Sequence, residues 1–387
     1  MTYILIIALC AIVLISYVFD ISASKTRIPS VILLLAVGIA LKLISHFLDL
    51  PTQDLKTVLP LLGTIGLILI VLEGTLEIRL GKEKTGIIKS SFLSAVIALF
   101  IFTLLFSLPL HYLLDMPYRD CLLNALPFGV ISSAIAIPTA RVLDENKREF
   151  VVYESSISDI LGIMLFDYFA SKQSYLSMTV KLPLDILAIL IIAVAASLLL
   201  GYIMNKIHHH IKFVPIVTTL ILVYALAKMV HLPALLLILI FGLFLNNARL
   251  LLAGRSVERF MPTISYDELK AFKLLVGETT FLVRSFFFIM FGYYTDIFSL
   301  ADPKTIAIAI ALMALAIGSR GATLKALREP LYPLIYIAPR GLISILLFLS
   351  IPAASRISWI NEGLLAAVII ISALFMMFGM GRLKASQ

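Results

Sequence analysis

The chain has 387 residues, 61% of them hydrophobic and only 14% charged, with a mean hydropathy of +1.07 and a formal net charge of +8. Soluble domains carry about 45–50% apolar and about 25% charged residues, so this composition excludes a single water-soluble globule. It requires a bilayer, whose hydrocarbon layer of about 30 Å takes roughly 20 apolar residues to cross as a helix.

Apolar spans of that size run near 2–19, 28–47, 56–76, 87–114, 119–142, 150–170, 183–205, 213–230, 232–247, 270–297, 303–319, 331–350 and 358–381. They are too long to be the alternating strands of about 10 residues that build outer-membrane barrels. The reading is an all-α polytopic membrane protein of about thirteen transmembrane helices, with residues 1–387 forming one transporter domain and no soluble regulatory domain. The run from Met1 to Phe19 has neither a basic start nor a small-residue cleavage site, and reads as a retained helix. Cys10 and Cys121 lie in apolar surroundings and read as small hydrophobes.

Basic residues sit in short loops between the spans, which speaks to membrane orientation and not to nucleic acid. With the N-terminus outside and the C-terminus cytoplasmic, 21 of the 31 fall on the cytoplasmic side, Arg320 among them, and 8 fall outside. Arg284 and Arg340 lie within spans. That bias predicts an integral protein of the plasma (inner) membrane. The His208–His210 run falls in a basic loop and reads as solvated.

Ionisable groups at membrane depth are costly and mark function by default. Glu73, Glu154, Asp159, Arg284 and Arg340 qualify, while Glu278 and Asp167 lie nearer span ends. On the sixth span, with Glu154 as origin, Ser158 falls at about 40°, Gly162 at about 80°, Ser155 at about 100° and Asp159 at about 140°. One face thus carries two carboxylates, two hydroxyls and a glycine, the hard oxygens a small alkali cation needs.

Two spans are interrupted. Pro127, Gly129, Ser132, Ser133 and Pro138 break the fifth, and Pro339, Arg340 and Gly341 break the one near 331–350. A broken span in each half is the signature of inverted repeats whose broken helices cross at mid-membrane. Arg340 at that crossing needs a partner, and Glu154 is the expected one, as a structural ion pair. Arg284 has two candidate partners, Asp159 and Glu278.

In order and spacing, five segments resemble the monovalent cation/proton antiporters, in particular the sodium/proton exchanger branch: TRIPSVILLLAVGIAL, LIVLEGTLEIRL, ESSISD, FLVRSFFFIMFG and PRGLISILL. The resemblance covers nearly the whole chain. It implies a homodimer embedded in lipid, dimerisation and scaffold helices beside a core near 119–170 and 270–350, and an elevator-like exchange. It also implies that Asp159 carries either the cation or the proton, that Glu154 and Arg340 brace the crossing, and that Glu73 lines the cavity. The family often has Thr-Asp-Pro where this chain has Ser132-Ser133-Ala134, and Asn or Asp where it has Ser158.

The expected function is therefore a sodium/proton antiporter, with Asp159, Ser155, Ser158, Glu73, Ser132 and Ser133 as ion-binding residues and Asp159 as the sodium ligand. Burial disfavours a charged carboxylate, so proton and cation compete for its oxygens. One carboxylate implies one cation per proton and electroneutral exchange. No cofactor is expected beyond the transported ions, sodium and protons, with lithium or potassium as alternatives. A potassium/proton antiporter and an anion carrier using the buried arginines stay open. No Ser/His, paired-Asp or HExxH-like arrangement at depth suggests an enzyme.

Overall fold

The computed structural model describes residues 2–26, 29–47, 58–170, 184, 187–199, 213–230, 232, 234–252 and 266–383. Arg27 and the His208–His210 run lie outside these. Among the described residues every regular element is helical. In chain order the helices are α1 (Thr2–Thr26), α2 (Ser30–Phe47), α3 (Val58–Glu77), α4 (Thr85–Leu114), α5 (Tyr118–Gly129), α6 (Ser133–Ala140) and α7 (Glu145–Ala170). They continue with α8 (Leu187–Leu199), α9 (Phe213–Met229), α10 (Leu235–Leu252), α11 (Tyr266–Tyr294), α12 (Ile297–Ala301), α13 (Pro303–Ala326), α14 (Leu342–Leu349) and α15 (Glu362–Leu383).

With α5 and α6 taken as one interrupted span, and the 3-10 turn Leu334–Tyr336 and α14 as another, these elements follow the thirteen spans read from hydropathy. Among the described residues, six stretches are both long and apolar enough to cross a membrane alone: Leu59–Glu77, Thr85–Leu114, Tyr118–Ala140, Asp267–Tyr294, Pro303–Ala326 and Glu362–Arg382. Large apolar side chains such as Phe92, Leu113, Leu222, Ile310 and Phe378 point outward, which suits lipid and not water.

Packing follows chemistry. On one side α11 lies against α2 and α3, and α3 against α10. Gly38 and Gly292 make the first seam: a Cβ on Gly38 would stand 2.1 Å from the Ile289 carbonyl oxygen, and one on Gly292 2.4 Å from that of Leu35. Small residues let two membrane helices meet backbone to backbone, where dispersion is the chief attraction left. On the other side α4, α5 and α7 pack mutually, and α13 packs on α15 and on the Leu334–Tyr336 turn. These two trios, each with a broken element in its middle, meet through α4 with α13 and α5 with α14. The fold thus brings the two interrupted spans face to face.

Candidate ion-binding site

The helix that carries Asp159 starts where Asp144 takes the Lys147 backbone N–H at 3.0 Å, an N-cap in the loop before α7. Fifteen residues later Asp159 is buried, with 1% of its surface exposed. Its Oδ2 accepts from the Ser133 N–H at 3.1 Å and from the Ser133 hydroxyl at 2.5 Å. Its Oδ1 is buried and has no hydrogen-bond partner. Among the described residues no basic side chain pairs with it.

Ser133 is there because the fifth span is broken. Between α5 and α6 the backbone is extended, with ψ of 133° at Val130 and 117° at Ser132. Three N–H groups lose helical partners, and buried donors must find others. Ile131 donates to the Ser158 hydroxyl at 3.0 Å, Ser132 to the Pro339 carbonyl at 2.8 Å, and Ser133 to Asp159. Ser132 and Pro339 thereby tie one break to the other. Gly341 permits that approach, since a Cβ on it would lie 2.5 Å from the Ser132 Oγ. Gly162 does the same for α7, where a Cβ would come within 2.3 Å of Val130.

The carbonyls at the end of α5 are met by Arg340, also buried. Its Nε donates to the Phe128 carbonyl at 2.7 Å, Nη2 to Gly129 at 3.4 Å and Nη1 to Ala338 at 2.7 Å, while its backbone N–H donates to the Ser372 hydroxyl at 3.0 Å. The electrostatics are complementary. A helix C-terminus is partially negative and an N-terminus partially positive. Arg340 sits at the end of α5, and the carboxylate of Asp159 at the start of α6.

This arrangement corrects the expected pairing of Glu154 with Arg340. Glu154 is held by Arg320 of α13 through two bonds of 2.7 Å, and its Oε1 also accepts from Ser94 at 2.6 Å. Arg320 is not a cytoplasmic loop residue: α13 runs on to Ala326, and Arg320 is 1% exposed. Hydropathy ends a span at its first charge, whereas a matched buried partner lets the helix carry that charge inward.

Arg284 goes to neither expected partner. Its Nη1 donates to the Ala134 carbonyl at 3.0 Å, one residue beyond Ser133, and Nη2 lies 3.7 Å from Asp20 Oδ1 on α1. Glu278 is exposed. Asp167 pairs with Lys228 towards the end of α7.

Of the remaining candidates, Ser132, Ser133 and Ser158 converge on the break. Ser132 Oγ is buried without a partner. Ser155 turns its hydroxyl onto its own helix, donating to Val151 at 2.7 Å. Glu73 is half-buried on α3 and directed at α11, where a Cβ on Gly277 would lie 3.6 Å from its Oε1. Sequence reasoning missed Arg320, Ser94 and Ser372. Of these only Arg320 carried a signal, a charge flanked by Gly318, Ser319 and Gly321 directly after an apolar run.

The family model described as sodium/hydrogen exchanger, transmembrane, matches residues 7–383. The chain belongs to the sodium/hydrogen exchanger family. Two structures of the sodium proton antiporter MjNhaP1 from Methanocaldococcus jannaschii share the fold of this exchanger. The one at pH 8 has a TM-score of 0.72 and 18% identity, covering 100% of this chain and 97% of that one. An electron-microscopy map of the same antiporter gives 0.70 and 20%, covering 100% and 96%. No curated protein matches the exchanger at the level of sequence. The family is one of transporters and not of enzymes. The site offers hard oxygens alone, and among the described residues no group of three His, Cys, Asp or Glu side chains forms a metal centre. Carboxylate and hydroxyl oxygens of this kind are the donors that suit a monovalent alkali cation.

Proposed function

We propose that this exchanger moves one sodium ion against one proton, electroneutrally, with Asp159 as the single group that carries either. The observation behind this reading is the state of its carboxylate. One oxygen is anchored by Ser133, the other is buried and unpartnered, and among the described residues no arginine neutralises the carboxylate. A buried charge of that kind is costly until a proton or a cation joins it. The neutralised site can then change sides while the empty charged one is held back, which couples the two fluxes.

Against the anion-carrier reading, the two arginines it would use are engaged: Arg340 holds the carbonyls of Phe128, Gly129 and Ala338, and Arg284 holds that of Ala134. In the proposed cycle the core near 119–170 and 270–350, with both broken elements, moves against the remaining helices as scaffold. We place the protein in the plasma membrane as a homodimer, N-terminus outside and C-terminus cytoplasmic. With Arg320 moved into its helix, 20 basic residues remain on the cytoplasmic side against 8 outside.

The test is proton flux in proteoliposomes during sodium, lithium and potassium pulses, for wild type and Asp159→Asn. Sodium-driven flux in wild type, unaffected by a clamped voltage and absent in the variant, is the expected result. A larger response to potassium reassigns the ion, and a voltage-dependent flux rejects one-for-one exchange. Flux that persists in Asp159→Asn rejects the carrier.

A further inference from the structure

The first turn of α6 contains a backbone defect that another helix repairs. In a helix the carbonyl of residue i accepts the N–H of residue i+4. For Ala134 that residue is Pro138, which lies inside α6 and has no N–H to give. The neighbouring carbonyl is normally occupied: Ser132 accepts the Ala136 N–H at 3.0 Å. The carbonyl left over at Ala134 accepts from Arg284 Nη1 at 3.0 Å, a donor brought by α11 from 150 residues away. Arg284 is only 12% exposed, and Asp20 of α1 stands 3.7 Å from its other terminal nitrogen. Ala134 adjoins Ser133, the residue whose N–H and hydroxyl both hold Asp159.

We infer that Arg284 is a positioning residue for ion exchange: it supplies the hydrogen bond that Pro138 withholds from Ala134 and so holds the start of α6, with its Ser133 donors, in register with Asp159. The inference rests on the reading of Asp159 as the ion carrier. Arg284 does not touch the ion. It acts through the backbone, and its loss loosens the turn that organises the carboxylate. Binding suffers more than turnover, because the carboxylate itself is retained. Asp20 contributes less, since it is half exposed and lies beyond hydrogen-bond distance.

Pro138 makes the idea testable, because Pro138→Ala returns the missing N–H to the helix and should make Arg284 dispensable. Exchange is measured in proteoliposomes for wild type, Arg284→Gln, Arg284→Lys, Pro138→Ala and Arg284→Gln/Pro138→Ala, reading half-saturating sodium and maximal rate separately. The expected result is about a tenfold rise in half-saturating sodium for Arg284→Gln, a smaller change in maximal rate, and a milder defect for Arg284→Lys. In the Pro138→Ala background, Arg284→Gln should cost threefold or less. If Arg284→Gln yields no folded protein, recovery of folded, exchanging protein in the double variant supports the same pairing, and failure to recover overturns it. Wild-type affinity in Arg284→Gln, or an equal defect in both backgrounds, overturns the inference while leaving Asp159 as carrier. Absence of exchange in wild type overturns the reading of Asp159, and this inference with it.

Discussion

Glu154 and Arg320 face each other across α7 and α13 in a two-bond pair, each side chain about 1% exposed, with Ser94 donating to the same carboxylate. The pair joins one trio of helices to the other. Removing one member leaves an uncompensated buried charge, at about 3–5 kcal/mol, whereas replacing both by apolar residues removes the desolvation cost as well. Arg320→Met should therefore sharply lower the unfolding temperature of the detergent-solubilised protein. Glu154→Leu/Arg320→Met should recover most of the loss. Equal losses in single and double variants would show that the pair does not act as a unit.

Ser133 holds Asp159 Oδ2 by hydroxyl and amide together. Ser133→Ala deletes the hydroxyl and keeps the amide. A hydrogen bond to a charged group contributes about 1.5–3 kcal/mol, which corresponds to roughly ten- to hundredfold in affinity. Half-saturating sodium should rise by that order in Ser133→Ala, and Ser133→Thr should keep most of the wild-type value. Unchanged sodium dependence in Ser133→Ala would mean that the amide alone organises the carboxylate.

The crossing of the breaks tolerates no added carbon. Gly341→Ala places a methyl 2.5 Å from Ser132 Oγ and 2.9 Å from its Cβ, and Gly162→Ala places one 2.3 Å from a Val130 methyl. Overpacking of this kind costs about 1–3 kcal/mol. Both variants should unfold at lower temperature and exchange more slowly. Val130→Ala should rescue Gly162→Ala and leave Gly341→Ala unimproved, since the two clashes involve different partners.

Outside the membrane, Asp144 caps α7 and its carboxylate bonds Lys147 at 2.6 Å. The Lys147 side chain, bonded to the carboxylate, holds the Asp144 pKa below its ordinary value of 3.8. A depressed folded pKa means that this contribution is present above the unfolded value and fades as pH falls through the folded one. Asp144→Asn keeps the cap but loses the charge bonded by Lys147, so it should be slightly less stable than wild type at neutral pH and converge with it below about pH 4. Thermal unfolding across pH 3–7 checks this, and parallel curves for wild type and variant would contradict it.

How much of this was legible in the sequence differs by residue. Spans, breaks and the isolation of Asp159 could be read because each is a local property: an apolar run, a proline or glycine within it, a carboxylate with no base within its own apolar span of 150–170. Partners could not. Arg340 and Arg320 are both arginines within reach of Glu154 by topology, and only packing decides that one meets a carboxylate and the other three carbonyls. Ser155 and Ser158 share a helix face, yet one hydroxyl turns back to Val151 and the other accepts from Ile131. Side-chain rotation at that scale leaves no trace in spacing. The link from Arg284 to Ala134 is an intermediate case, since Pro138 announces an orphaned carbonyl without naming its donor.

The contacts that complete the site join distant parts of the chain: Glu154 meets Arg320 166 residues later, and Phe128 meets Arg340 212 residues later. A chain emerging from the ribosome delivers its N-terminal portion first. For most of synthesis Glu154 and the open carbonyls of α5 lie in the bilayer without their arginines, where unsatisfied polar groups cost several kcal/mol each. The candidate site is thus completed late in synthesis, only once Arg320 and Arg340 have been added. A chain shortened before Arg340 would leave the opening of the fifth span uncapped, a mark by which membrane quality control could tell a half-made exchanger from a complete one.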